Sequence, residues 1–323
     1  MPKLICLMPT YNKEKTLANG IESVIMQKTD FDYKLIILDD CSTDNSNRIA
    51  NEYREKYPEK IEIIRNETNL KLLHSIINGY KLLKGADYFC VLDADDWYTY
   101  DKKFADAVKF LDEHPNYTMY MTNIILKKGE EETPYYQGDK KTFDFGLRER
   151  KTDNAIFIQT SGVVYRNIYF KKGKNEKFDE ILSYKFPQSF RADGFRFEWY
   201  LHGGKAHFVN HLESVYNYDL NGIWSEMAEC EQSLYNAKLM YSCAEFFPED
   251  KEFYYSQCKQ MFKNAMVKMQ HADRESFAKN KELITFLYDY LYVSNDISII
   301  KALKFIAKFI PCKYLRKLIK KSL

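Results

Sequence analysis

Residues 91–97 read Val-Leu-Asp-Ala-Asp-Asp-Trp, an apolar run that ends in three carboxylates within four positions. The run itself, residues 88–92, follows Gly85 and has the length and composition of a buried strand in a parallel sheet. Such strands present ligands at their carboxyl ends. Three clustered carboxylates repel one another unless a cation or bound water offsets them, and hard oxygen ligands favour Mg2+ or Mn2+. A second reading is open at this point: a solvated acidic turn capping the next helix, which starts near Asp101.

The chain before this motif repeats one pattern. Residues 3–8 form an apolar run stopped by Pro9-Thr10-Tyr11-Asn12, and a helical stretch follows over about 16–26. Residues 34–38 are the next strand, 39–44 (Asp-Asp-Cys-Ser-Thr-Asp) a loop rich in helix caps, and 45–57 a helix. Residues 61–65 and 72–83 are a third strand and helix. Alternating strands and helices imply a parallel sheet with right-handed crossovers. Loops carrying Tyr11, Asp40 and Asp95 then meet along one sheet edge.

Composition narrows the class. At 323 residues and 45% hydrophobic, the chain can bury a full core. Lys and Arg total 48 against 46 Asp and Glu, so no global field marks a nucleic-acid binder. Seven cysteines are scattered without C-x-x-C spacing, which fits a reduced cytoplasmic compartment. No signal-peptide pattern opens the chain, and no apolar stretch reaches the roughly 20 residues of a membrane span.

Three segments, "MPTYNKEKTLANGIESVIMQ", "LIILDDCSTDNS" and "VLDADDW", together resemble the nucleotide-binding half of a family 2 glycosyltransferase of the GT-A fold. The resemblance implies a mixed, mostly parallel α/β sheet flanked by helices, a C-terminal helical extension, and inverting transfer of a hexosyl group from a nucleotide-diphospho-sugar, with UDP the nucleotide. It implies that Pro9, Thr10 and Tyr11 line the nucleoside pocket, that Asp40 bonds the base, and that Asp93 and Ala94 lie near the ribose. Asp95, with Asp96 as the alternative or additional ligand, would hold Mn2+ or Mg2+ on the diphosphate. Family members often carry a Gly and an Ala-Arg-Asn run before the helix that precedes this motif. Residues 69–79 here read NLKLLHSIING, without the Arg, and Lys71 stands as its candidate replacement near the phosphates.

The second informative block, residues 191–208 (RADGFRFEWYLHGGKAHF), is similar to the acceptor-side signature of the family: an Asp opens a helix and a Gly-Lys pair closes it about three turns later. By this resemblance Asp193 is the catalytic base. An in-line displacement at the anomeric carbon requires a group that takes the proton of the acceptor hydroxyl; helix capping is the alternative use of an Asp there. Glu198 faces another side of that helix and is a structural or acceptor contact. Ser161-Gly162, in residues 156–166, would form part of the floor beneath the donor sugar, or a tight turn between core strands. Residues 215–225 (VYNYDLNGIWS) match the closing loop, often Tyr-Arg-x-His then Gly-x-Trp-Ser. Asn217 and Asp219 stand where Arg and His are common, and Trp224 is retained.

Residues 127–151 suggest a surface excursion or edge hairpin. The domain organisation expected is a transferase domain over 1–225, split into a nucleotide half (1–100) and an acceptor half (101–225), followed by a helical region over 226–323. Within that region helical periodicity covers 226–246, 251–271 and 281–293. From Ile299 onward aliphatic residues recur at helical spacing among lysines, with Lys313, Arg316, Lys317, Lys320 and Lys321 beyond Pro311. Such a segment either packs on the body or binds an anionic membrane surface. The latter suits a peripheral protein at the cytoplasmic face of the inner membrane, acting on a glycan or lipid-linked acceptor in surface polysaccharide, lipooligosaccharide or glycoprotein glycan assembly. The competing classes are a noncatalytic sugar-nucleotide binder or membrane scaffold and a nucleotidyltransferase.

Overall fold

The computed structural model describes residues 1–173, 180, 190–218, 222, 224–269 and 274–291. Asp219 and the basic segment 299–321 lie outside the described residues. The chain divides into two compact units, one of Met1–Pro187 with Arg196–Tyr218, the other of Gln188–Phe195 with Asp219–Leu323.

The first unit is built on a sheet whose leading half is parallel. Strands β1 (Leu4–Thr10), β2 (Tyr33–Asp39), β3 (Ile61–Arg65) and β4 (Tyr88–Val91) alternate with helices α1 (Leu17–Ile25), α2 (Ser46–Lys56) and α3 (Lys71–Lys81). They lie in the order β3-β2-β1-β4, all parallel. Every residue of β1 is buried, which explains its unbroken apolar run: a strand covered on both faces has no solvent side to alternate with. The helices bury one stripe each, Leu17, Ile21 and Val24 on α1 and Leu73, Ile76, Ile77 and Tyr80 on α3. The register sets Thr10 opposite Asp39 and Asp39 opposite Arg65, so the loops after β1, β2 and β3 leave the sheet at one level. Leu92 N donates to Leu7 O, which carries the acidic motif to that same edge.

The remaining strands make the sheet mixed. β5 (Trp97–Tyr98) follows the acidic motif directly, then α4 (Lys103–Glu113) and β6 (Tyr117–Lys128). A two-residue turn with Gly129 at φ 60° returns the chain as β7 (Glu131–Pro134), and β8 (Thr142–Phe145) and α5 (Leu147–Lys151) complete the excursion between 127 and 151. β9 (Val163–Arg166) runs antiparallel between β4 and β6. β10 (Lys205–Asn217) pairs parallel with β6 and antiparallel with β8 and β5, with register shifts around Leu212. α6 (Ala192–Gly203) opens in the second unit and from Arg196 belongs to the first.

The second unit is helical, with α7 (Glu229–Phe246), α8 (Lys251–Met269) and α9 (Arg274–Tyr290). The last begins seven residues before the apolar periodicity does, because Arg274 to Asn280 is largely polar and its helical state is not visible as a hydrophobic stripe. Leu234, Ala237 and Met240 on α7, Phe262 and Met266 on α8 and Leu287 on α9 are buried. Among the described residues no helix is long and apolar enough to cross a membrane.

Candidate active site

The edge formed by the loops after β1, β2 and β3 is knitted together by side chains. Ser42 Oγ accepts from Asn12 N at 3.1 Å, Asn12 Oδ1 accepts from Thr43 N at 2.8 Å, and Ser46 Oγ accepts from Lys13 N at 2.8 Å. Asp44 accepts from Glu14 N at 3.0 Å and Ser46 N at 2.9 Å, and these bonds lower its pKa although partial burial acts in the opposite direction. Asn12, Cys41 and Lys71, one in each loop, hold φ of 52°, 63° and 69°. Left-handed backbone at non-glycine residues is strained and persists where surrounding contacts enforce it.

Pro9 and Thr10 are buried at the end of β1, while Tyr11 is 44% exposed at the edge beyond it. Asp39 and Asp40 do different things. Asp39, 1% exposed, accepts from Ser42 N and Asn47 Nδ2 and is paired with Arg65, so it braces the loop. Asp40 uses Oδ1 for Asn66 Nδ2 and Leu70 N, both at 2.8 Å, and thereby positions the start of α3. Lys71, at that start, has an exposed side chain.

The acidic motif is held from three sides. Thr16 Oγ1 donates to Ala94 O at 2.9 Å, and Gly20 on α1 lets the helix backbone come so close that a Cβ there would sit 3.2 Å from Asp96 O. Asp95 Oδ2 accepts from Lys13 Nζ at 2.5 Å, both side chains being partly exposed. Asp96 is 1% exposed; its Oδ1 accepts from the backbone N of Asn217 at 3.0 Å, and its Oδ2 has no hydrogen-bond partner. Burial, and then the charges of Asp93 and Asp95, push the Asp96 carboxyl well above the usual carboxylate range. The Asn217 amide and the nearby Ser161 hydroxyl act the other way, though Ser161 Oγ, itself buried, makes no hydrogen bond within normal limits. Burial and the same three carboxylates raise the Tyr216 phenol, which places that hydroxyl in their field.

A divalent cation fits this arrangement. An orphaned buried oxygen on Asp96 has an unmet need for a positive partner, and Asp95 already carries a cation in the form of the Lys13 ammonium. Lys13, Gly20, Tyr216 and the Asn217 amide join the motif without having been singled out from the sequence. Three of them act through position in space, and the amide of residue 217 would serve whatever its side chain.

Ser161 and Gly162 belong to a 3-10 turn that leads into β9. A Cβ on Gly162 would lie 2.8 Å from Thr122 O and 2.4 Å from Ile158, so only glycine fits. Glu198, 3% exposed on α6, is engaged by Arg150, whose guanidinium reaches Oε1 at 2.8 Å. In the second unit Arg191 joins two of the expected residues: it donates to Asp193 Oδ2 at 2.9 Å and lies 4.3 Å from the Trp224 ring centroid. It also bonds Asn236.

A parallel β3-β2-β1-β4 core extended by an antiparallel strand, with carboxylates gathered where its strands end, defines a GT-A sheet. The model of glycosyl transferase family 2 matches residues 5–177, and the chain belongs to that family. RfbG of Shigella flexneri, a dTDP-rhamnosyl transferase, is 31% identical over 211 residues, which is 60% of this chain and 68% of the relative. TarS of Staphylococcus aureus, solved in complex with UDP-GlcNAc, shares the fold at 19% identity with a TM-score of 0.53, over 98% of this chain and 84% of that one. The mannosyltransferase PcManGT of Pyrobaculum calidifontis, solved with GDP-Man and Mn2+, does so at 12% identity and a TM-score of 0.53, over 99% and 83%. The chain spans 58% of the length of the mycobacterial relatives to which it is 27% identical over 225 residues.

Proposed function

We propose that this chain is an inverting glycosyltransferase that takes a sugar from a nucleotide-diphospho-sugar, with a UDP-sugar as the donor, and passes it to a hydroxyl of a glycan or lipid-linked acceptor. The observation that carries the reading is the Asp93–Asp96 edge of a family 2 sheet, where a buried oxygen of Asp96 lacks a partner and Asp95 already holds a cation. Asp95 and Asp96 would hold Mn2+ or Mg2+, which when bound supplies Lewis-acid stabilisation of the leaving diphosphate. Pro9, Thr10, Tyr11, Asp40, Asp93 and Ala94 line the nucleoside side, and Lys71, exposed at the head of α3, is within this reading a phosphate contact.

Asp193 is the base that takes the acceptor proton as the hydroxyl attacks. Arg191, 2.9 Å from Asp193 Oδ2, fixes the position of that carboxylate. Ser161 and Gly162 lie under the sugar. Asp219 and Trp224 belong to the acceptor or closing loop. A polysaccharide, lipooligosaccharide or glycoprotein glycan would be the product, made at the inner face of the membrane.

Calorimetric titration with UDP, GDP and dTDP, each with and without Mn2+, tests the donor. Metal-dependent binding of UDP that disappears in Asp95→Ala is the expected result; binding that ignores both the metal and the substitution rejects the metal site. Asp193→Asn should lose transfer and keep nucleotide binding. Unchanged transfer would reject the base.

A further inference from the structure

Lys13 holds a place in the site that nothing in the chemistry of sugar transfer requires. It stands in the β1–α1 loop between Asn12, which has left-handed backbone, and Glu14. The backbone at 13 is clamped: its N–H donates to Ser46 Oγ, its carbonyl accepts from Thr16 N and Leu17 N, and the neighbouring amides are bound by Ser42 and Asp44. From this fixed base the side chain reaches across to Asp95 Oδ2 at 2.5 Å. The two side chains keep 27% and 21% of their exposure, so water and solutes reach the pair. Asp93 and Asp96 lie within two positions of Asp95 in the chain and act on each other's charge.

We propose that Lys13 is an exchangeable counter-ion: its ammonium neutralises Asp95 while the donor site is empty, and a divalent cation binds Asp95 only by displacing it. Once displaced, the ammonium stays on a short tether beside the metal, where the negative charge of a nucleoside diphosphate attracts it. The inference rests on the assignment of Asp95 as a metal ligand and goes beyond it to the residue that competes for that ligand. The physical reason is plain. Three carboxylates in four positions are costly without a cation, and a loop lysine supplies one that a divalent ion outcompetes by charge. An ammonium makes a compact point contact on a flexible stem, which suits exchange better than the two-pronged grip of a guanidinium.

The test uses Mn2+ alone and then Mn2+ with UDP. Free Mn2+ is read by electron paramagnetic resonance in titrations of the wild-type chain, Lys13→Met and Lys13→Arg, with circular dichroism melts to establish that each variant is folded. Removing the competitor should tighten Mn2+ binding in Lys13→Met roughly two- to fivefold, the range expected for losing a partly exposed ion pair. UDP affinity in the presence of Mn2+ should fall in the same variant, and Lys13→Arg should bind Mn2+ no more tightly than wild type. Equal or weaker Mn2+ binding by a folded Lys13→Met overturns the proposal, as does an absence of Mn2+ binding in all three chains. If Lys13→Met matches wild type while Mn2+-dependent UDP binding survives, the counter-ion role alone fails and the donor reading stands. Loss of UDP binding by wild type itself is the outcome that removes the donor reading.

Discussion

The backbone amide of Asn217 donates to Asp96 Oδ1 at 3.0 Å, joining residues 121 positions apart. The bond fastens the acidic motif to the end of β10, beside the short β5–β10 pairing of Trp97 with Val215. Because the donor is main chain, an Asn serves at this position as well as the Arg of the closing-loop pattern that the sequence resembles. The departure at 217 therefore leaves this anchor intact, and the side chain that differs is not the part that holds Asp96.

Two substitutions at Asp96 separate anchoring from charge. Asp96→Ala leaves the half-buried Asn217 N–H without its acceptor and should cost about 1 kcal/mol of stability. Asp96→Asn keeps an acceptor for that amide and removes a buried charge, so its unfolding midpoint in urea should equal or exceed that of wild type. Its Mn2+ affinity should nonetheless fall. A large loss of stability in Asp96→Asn would contradict this account.

Glu198 is paired to Arg150 in a nearly closed environment. Removing one partner of a buried pair leaves the other charge uncompensated, and Glu198→Ala should lower stability by about 3 kcal/mol. Nucleotide binding measured below the new melting temperature should be unchanged. A variant of normal stability with impaired transfer would instead assign Glu198 to the acceptor.

Glycines at 162 and 79 make a matched pair. A methyl on Gly162 meets the Thr122 carbonyl at 2.8 Å and the side chains of Ile158 and Ile124, inside a packed turn, and Gly162→Ala should cost about 1–3 kcal/mol. A methyl on Gly79 meets chiefly the terminal carbon of Leu38, which can turn aside, and alanine suits a helix better than glycine. Gly79→Ala should stay within about 1 kcal/mol of wild type. Urea denaturation of the two variants side by side checks the contrast.

Lys238 on α7 is buried near the rings of Tyr241 and Phe286, and burial pushes its pKa down to about 8 from the usual 10.5. A depressed amine binds its proton less readily folded than unfolded. Its destabilising effect is therefore complete below pH 8 and disappears as pH rises to about 10.5, a change of up to roughly 3 kcal/mol. The stability difference between wild type and Lys238→Met, measured in urea at about pH 7.5 and about pH 10, should move in favour of wild type at the higher pH. Shifts from groups that do not interact with Lys238 are common to both chains and cancel in that difference; Cys258, which does interact with it, is held well up by burial and stays a neutral thiol at about pH 10. A difference that does not change with pH would refute it.

Much of the first unit is legible in the order of its residues. Unbroken apolar runs closed by Pro-Thr-Tyr-Asn, Asp-Asp-Cys-Ser and Asp-Ala-Asp-Asp sit at the ends of β1, β2 and β4, because a strand buried on both faces leaves no other mark and must shed its polar residues into the loop. The stripes of α1 and α3 follow from the 3.6-residue repeat in the same way. The two-residue strand β5 leaves no such mark, since so short an element has no period of its own and exists only through its pairing with β10.

What local order determined about this protein is the succession of strands and helices and the edge at which carboxylates gather. Only the tertiary structure decided which carboxylate does what. Lys13 meets Asp95 across 82 positions and Asn217 meets Asp96 across 121, while Asp39 turns to Arg65 and Asp40 to the head of α3. Adjacent aspartates are indistinguishable as sequence; Asp39 and Asp40 diverge because successive side chains at the end of β2 point to opposite sides, and Asp95 and Asp96 because the turn after β4, closed by Asp96 N donating to Asp93 O, aims them at different neighbours.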